Sequence, residues 1–280
     1  MALDTTIAYL ARDKIFGKEK AFDTDFPVSH VPGARRTNHT TEEKWVKVHE
    51  ITEPHDWDLN THGFCVVRAE THLNPQDIWT RKKEIQKSYW VQIERLLEER
   101  FPEYSRIESY DLTIRSRDTD FPKNERVYVE THEQPATKPH ADVSQRGSLK
   151  ELMHVFPGQE KYWKGKDYDI INVWRPLIGP NDDWPLAICD WTTVDQENDI
   201  LLNDGIRRDR VDENSLLHHN EAHRWYYIKN QTPSDFFVFR NADSMGRRPR
   251  GFHCSVFNPH ATSPPRQSVE VRLVAFRDLD

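Results

Sequence analysis

The sequence predicts a mainly β protein with flanking helices, a jelly-roll barrel of the double-stranded β-helix, cupin-like kind. Three observations predict it. From Arg106 onward the chain is a succession of short segments rich in Val, Ile and aromatics, each bounded by Pro, Gly, Asn or Asp. In the last of them Val269, Val271, Leu273 and Ala275 alternate with Glu270, Arg272 and Val274, the two-residue period of a strand. Only one long helical pattern stands beside them. About eight strands with one or two helices suit a jelly roll.

Taken in order, residues 1–60 are extended and polar, with strand-like pieces at Thr6–Leu10 and Val46–Ile51, and Phe64–Ala69 reads as a buried strand. The helix comes next. Asn74 can cap it, Pro75 sits where a first turn tolerates proline, and Asp77 suits the positive helix end. Ile78, Ile85, Tyr89, Ile93, Leu96 and Leu97 recur near every 3.6 residues, and Pro102 ends the run. Strands are then expected at Ile107–Ile114, Val127–Glu130, Ile170–Leu177, Pro185–Cys189, Arg224–Lys229, Phe236–Arg240, Phe252–Phe257 and Val269–Phe276. The charged stretch Asp195–Asn220 reads as strand-poor, either a lid or a surface excursion. The expected organisation is one domain over 1–280, with 1–105 as an N-terminal extension and helix and 106–280 as the jelly-roll core.

Composition removes several classes. A chain of 280 residues can bury a core without disulfide staples. It is polar, with a mean hydropathy of −0.85. Its 9 Trp, 9 Tyr and 13 Phe nevertheless argue for a packed protein. The net charge of −7, without a basic tail or stripe, points away from nucleic acid. No apolar run is long enough for a membrane span, and MALDTTIAYLARDK does not read as a secretory signal. Cys65, Cys189 and Cys254 are too few and too scattered for a zinc ribbon or a disulfide framework, so a reducing, cytoplasmic setting is expected. A small-molecule substrate is the expected partner, and a homodimer is left open. No long repeat is visible, nor a GxGxxG, GxxxxGK[ST] or GxSxG motif.

Within TKPHADVS, His140-x-Asp142 places an imidazole and a carboxylate on the same side of a strand end, where both can reach one metal ion. Joined by a distant histidine, such a pair is the facial triad of non-haem Fe(II) oxygenases. The pair alone says little. With 14 histidines, about one such motif arises by chance at average Asp usage, and His219-Asn220-Glu221 competes as HxE. The order of the later segments adds weight. GFHCSVF carries His253, and Arg266-Gln267-Ser268 opens the next segment, where a guanidinium fork can grip a carboxylate and Ser268 can assist. The chain between Glu221 and His253 is short for the intervening strands of a jelly roll, which favours His140 and Asp142.

These segments resemble the Fe(II)/2-oxoglutarate-dependent oxygenases, in particular the fungal secondary-metabolism branch of the CmcJ/NvfI/AsaB type. That branch includes gibberellin desaturase-like enzymes, endoperoxide-forming oxygenases and hydroxylases. The resemblance spans roughly 137–277 and rests on KPHAD, NVWRPL, PLAICDW, HRWYYIKNQTPSD, HCSVF and RQSVEVRLVAF. It implies that His140, Asp142 and His253 hold Fe(II), and that Arg266 binds the distal carboxylate of 2-oxoglutarate with help from Ser268. It also implies that O2 and oxidative decarboxylation generate the oxidant that takes hydrogen from the substrate. Hydroxylation, desaturation, endoperoxide formation and ring formation all start from that step.

Other residues carry two readings. Asn172 either bonds the 2-oxoglutarate 1-carboxylate or is a satisfied core amide. Trp191, at a strand exit, either lines the substrate pocket or packs in the core. Arg272 either pairs with Glu270 or reaches substrate. Arg247, Arg248 and Arg250 either attract the anionic co-substrate or form a solvated loop. The aromatic content of 11% allows a large apolar pocket for a largely apolar substrate. Two other functions compete. A cupin-like metal or ligand binder without oxidative turnover (a redox-neutral isomerase or an accessory subunit) need not keep Arg266 and Ser268, and a zinc hydrolase on the same three ligands leaves Arg266 without a task.

Overall fold

In the computed structural model, which describes residues 2–123 and 132–277, two sheets face each other. The strands are β1 (Ala2–Leu10), β2 (Ala21–Thr24), β3 (Thr41–Glu50), β4 (Phe64–Arg68), β5 (Arg106–Ser116), β6 (His140–Ala141), β7 (Asp167–Pro176), β8 (Leu186–Cys189), β9 (Ile200–Ile206), β10 (Val211–Leu217), β11 (Trp225–Tyr227), β12 (Asp235–Asp243), β13 (His253–Ser255) and β14 (Gln267–Arg277). The helices are α1 (Leu59–His62), α2 (Pro75–Arg100), α3 (Gln145–Val155) and α4 (Glu160–Trp163). One sheet runs β4-β12-β7-β14-β5. The other, strongly curled, runs β1-β3-β11-β8-β13-β6-β10-β9-β2. This is the expected jelly roll, and its first 105 residues supply strands to both sheets. The expected strand Val127–Glu130 lies outside the described residues.

The five-stranded sheet has two unlike faces because its strands alternate side chains in and out, apart from one bulge on β5 and one on β12. Leu112 and Ile114 on β5, Val269, Val271 and Leu273 on β14, and Ile171 and Val173 on β7 point outward. There they meet Ile78, Tyr89, Ile93 and Leu97 of α2 in one core cluster. The cap of α2 is the expected one, with Asn74 accepting from the Gln76 amide at 3.0 Å. The opposite face carries Asp111, Thr113 and Arg115, paired in register with Arg272, Glu270 and Ser268, which pair in turn with Asn172, Trp174 and Pro176. These polar rows look into the space between the sheets. Aromatic packing fills the neighbouring part of that space, where Phe64, Trp174, Phe237 and Phe239 meet Ile188.

The Asp195–Asn220 segment is not strand-poor. It holds β9 and β10, a hairpin that pairs with β6 and sets Leu216 opposite His140. Its polarity misled because several of its strand residues are polar and buried, satisfied by side-chain bonds. Asn203 donates to Asp23 and Asn214, and Glu213 accepts from Lys20 and Ser144. The short helix α3 begins directly after the HAD motif, capped by Ser144, whose hydroxyl accepts from Gly147 N at 2.9 Å. Gly147 is required there, since a Cβ would lie 2.1 Å from the Glu213 carbonyl. The turn following Asp142 is thus clamped to β10.

Candidate metal centre and adjoining cleft

His140 and His253 are direct cross-strand partners on β6 and β13, and Asp142 follows β6 at the turn into α3. Their ligand atoms lie within 4.8 Å of one another. His140 Nε2 is 3.3 Å and His253 Nε2 3.9 Å from the same carboxylate oxygen, Asp142 Oδ1. Both rings are oriented in one way. His140 Nδ1 donates to the Lys138 carbonyl at 2.7 Å and His253 Nδ1 to the Gly251 carbonyl at 3.0 Å. Fixing the proton on Nδ1 leaves each Nε2 lone pair aimed at the shared centre, the second-layer arrangement that metal-binding histidines use. Phe239 closes the back of His253, with ring centroids 4.4 Å apart.

The carboxylate is held from behind. Asn172 Nδ2 donates to Asp142 Oδ2 at 2.7 Å, and Arg272 Nη2 lies 3.2 Å from the same oxygen. Asn241 Oδ1 accepts from the Asp142 amide at 2.8 Å. Burial opposes the charge on Asp142, but Arg272 and the two histidines outweigh it and hold the carboxyl well below its ordinary range. Burial, with the neighbouring His140, pushes His253 down to about 3, so its imidazole is neutral. Burial lowers the pKa of His140 as well, but its hydrogen bond to Asp142 and the charge of that carboxylate outweigh it and raise the imidazole above its ordinary value, so a metal ion would displace a proton there. Two imidazoles and an ionised carboxylate make a donor set for a divalent first-row metal.

Arg266 is 1% exposed. Its Nη1 donates to the Trp184 carbonyl and to Ser255 Oγ, both at 2.7 Å, and its guanidinium carbon sits 5.5 Å from the centre of the Trp174 ring. Among the described residues no carboxylate is bonded to this side chain. Its Nε is buried without a partner, as is the Ser268 hydroxyl on the adjoining stretch of β14. Burial first, and then the charge of Arg115, lowers its affinity for the proton. A carboxylate entering here would add an opposite charge to those of Asp183 and Glu270 and accept from both orphaned donors. The residues therefore fit the distal carboxylate of a dicarboxylic acid.

The other sequence candidates take these places. Asn172 turns its Nδ2 to Asp142, behind the metal site, which makes it a support for a candidate ligand, and its Oδ1 is buried without a partner. Arg272 is held by Asp142, with Glu270 and Asp111 at 3.5 and 3.6 Å, although it also borders the cleft. Trp191 lies in an apolar cluster within the curl of the larger sheet, its ring parallel to that of Phe252, and it is not among the cleft residues. Arg248 pairs with Asp167 and Asp169, and Arg250 lies against the Trp191 and Phe252 rings. His219 and Glu221 are 3.9 Å apart with Glu221 96% exposed, and they stand outside the group that His253 joins.

A cleft of about 980 Å³ opens over His140 and Asp142, walled by β5, the β9–β10 hairpin and α3. Its lining is dominated by charged side chains, among them Arg115, Asp111, Glu151, Arg207 and Arg210. The composition allows a large apolar pocket, but this cleft is polar, because β5 turns its Leu and Ile outward to α2 and its polar residues inward. Glu270 stands in the middle row of that face. Burial, followed by the Asp142 charge, pushes its carboxyl up to about 7. Three residues of this region escaped the reading of the sequence. Arg115 was legible in the Asp111/Thr113/Arg115 alternation on β5. Tyr110 and Asn241 were not, since each is the extra residue of a β-bulge.

A family model described as oxidoreductase/YMDC permease-like domain matches residues 7–276. Among curated proteins, the Fe(II)/2-oxoglutarate-dependent dioxygenase nvfI of Aspergillus novofumigatus is 27% identical over 90% of each chain. The hydroxylase/desaturase efuI of Hormonema carpetanum is 26% identical over 79% of each chain. Among solved structures, the iron and alpha-ketoglutarate-dependent endoperoxidase NvfI, in a structure described as a different conformation, superposes with a TM-score of 0.84. That match has 22% identity and covers 99% of each chain.

Proposed function

The chain belongs to the oxidoreductase/YMDC permease-like domain family, and on that premise we propose that it is an Fe(II)/2-oxoglutarate-dependent oxygenase of secondary-metabolite biosynthesis. One observation carries the reading: Arg266, buried and with no carboxylate bonded to its side chain among the described residues, donates to Ser255, which lies two residues beyond His253 on β13 and so on the same face of that strand as the His-Asp-His centre. His140, Asp142 and His253 would hold Fe(II). Arg266 and Ser268 would take the distal carboxylate of 2-oxoglutarate. Iron bound with 2-oxoglutarate and O2 supplies an oxidant that removes hydrogen from a substrate, with succinate and CO2 as co-products.

The chain's own residues do the rest. Lys138 and Gly251 fix the histidine tautomers, while Asn172 and Arg272 hold Asp142 ionised and turned toward the rings. A small organic substrate would enter the cleft over His140, meeting β5 and the β9–β10 hairpin. A metal protein without oxidative turnover, or a zinc hydrolase, leaves the orphaned donors of Arg266 and Ser268 unexplained. No helix among the described residues is long and apolar enough to cross a membrane. Three free, buried cysteines support placing the protein in the cytoplasm. Anaerobic addition of Fe(II) and 2-oxoglutarate tests the reading. A visible metal-to-ligand charge-transfer band is expected, and its absence with both present overturns it.

A further inference from the structure

The register of β12 against β7 slips once. Arg240 pairs with Ile171 and Ala242 with Ile170, so Asn241 is an extra residue on β12. A bulge of this kind turns two successive side chains toward one face. Arg240 points outward and engages Asp169 at 2.9 Å, whereas Ala242 packs in the cluster with Ile170 and Val274. Asn241 is turned inward, is fully buried, and accepts from the Asp142 amide. One strand over, Asn172 is also fully buried and donates to the Asp142 carboxylate.

Both amides are only half used. Asn241 Nδ2 and Asn172 Oδ1 are buried with no partner. A buried amide with one group unsatisfied costs stability, so packing alone is a poor reason for two of them at one aspartate. Their made bonds, by contrast, meet at the same residue and constrain different parts of it. One fixes the backbone of Asp142, and the other engages Oδ2 and leaves Oδ1 toward the histidines.

We infer that the bulge at Asn241 is a positioning device for the metal ligand. Asn241 sets the backbone of Asp142, and Asn172 sets the rotation of its carboxylate, so that a single oxygen is presented beside His140 and His253. Asn241 is therefore a positioning residue that acts through Asp142 and touches neither metal nor substrate. This inference rests on the oxygenase reading above.

The test is an anaerobic titration of Fe(II) into metal-free protein at saturating 2-oxoglutarate, followed by the charge-transfer band, with thermal melts of the metal-free proteins alongside. Asn241→Ala is expected to weaken Fe(II) binding by about 10- to 100-fold, the usual loss when an outer support of a metal ligand is removed. Once Fe(II) saturates, 2-oxoglutarate affinity should match the wild type. Asn241→Asp keeps an acceptor for the Asp142 amide and should restore most of the Fe(II) affinity. A folded Asn241→Ala protein that binds Fe(II) within about threefold of wild type overturns the inference, because it falls short of that loss. If Asn241→Ala does not fold, Asn172→Ala leaves the bulge intact and is expected to lose Fe(II) affinity to a similar degree. Undiminished binding there also overturns it. A wild-type protein without the band refutes the oxygenase reading and this inference together, whereas a wild-type band with unchanged variants overturns the inference alone.

Discussion

His140 and His253 face each other across the β6–β13 ladder, and each donates its Nδ1 proton to the carbonyl two residues before it in the chain. Two separate strands thus impose the same tautomer and turn both Nε2 atoms toward Asp142. A metal ion would replace the His–Asp contacts without rebuilding the strands.

His140→Ala, Asp142→Ala and His253→Ala should each abolish metal binding and turnover while the protein stays folded. The aromatic cluster between the sheets is built from other residues. His219→Ala and Glu221→Ala should leave metal content unchanged. Metal analysis of the purified variants checks this, and an empty site in the second pair with a full one in the first would reverse the ligand assignment.

Arg266→Ala should weaken 2-oxoglutarate by roughly 2–5 kcal/mol, about 30-fold to several thousand-fold, because it strands a partly buried carboxylate. Arg266→Lys keeps the charge but loses the fork, and should still raise the 2-oxoglutarate requirement. Arg272→Ala should act differently. It removes a partner of Asp142, so the Fe(II) requirement should rise more than the 2-oxoglutarate requirement. Separate titrations of the two ligands distinguish these effects.

Trp191→Ala should destabilise the fold by about 3–5 kcal/mol, the cost of emptying a large core site. Trp191 packs with Phe252 in an apolar cluster away from the cleft, so the product profile of surviving folded enzyme should be unchanged. A thermal melt beside a product assay separates the effects, and an altered product ratio with little change in melting would return Trp191 to the substrate pocket.

Stability should fall on mild acidification. Burial lowers the pKa of His218 and of His223, even though Asp199 raises both, and His223 Nε2 lies 3.0 Å from that carboxylate. The unfolded chain takes up these protons below about pH 6.5, where the folded one resists. The unfolded state then binds more protons, so stability is complete above that pH and is lost as pH falls through it. Denaturant midpoints at about pH 7.5 and about pH 5.5 should differ, and His223→Gln should narrow the difference.

The strand alternation of β14 and β5 and the amphipathic face of α2 are local properties, so they were legible in order along the chain. The same holds for the HxD pair, the later His253, and Arg266 with Ser268, because two-residue spacing on a strand dictates which side chains share a face. Sequence alone determined the fold class and the pieces of the centre. Only the tertiary structure decided what each piece touches. The β9–β10 hairpin looked like a charged excursion because its polar residues are satisfied by long-range partners such as Asp23 and Lys20. Asn172 turns to Asp142, and Trp191 into an apolar cluster, for a related reason: their partners come from other strands. The bulges at Tyr110 and Asn241 exist only in the register between paired strands, and a register is a property of two segments that neither one carries in its own sequence.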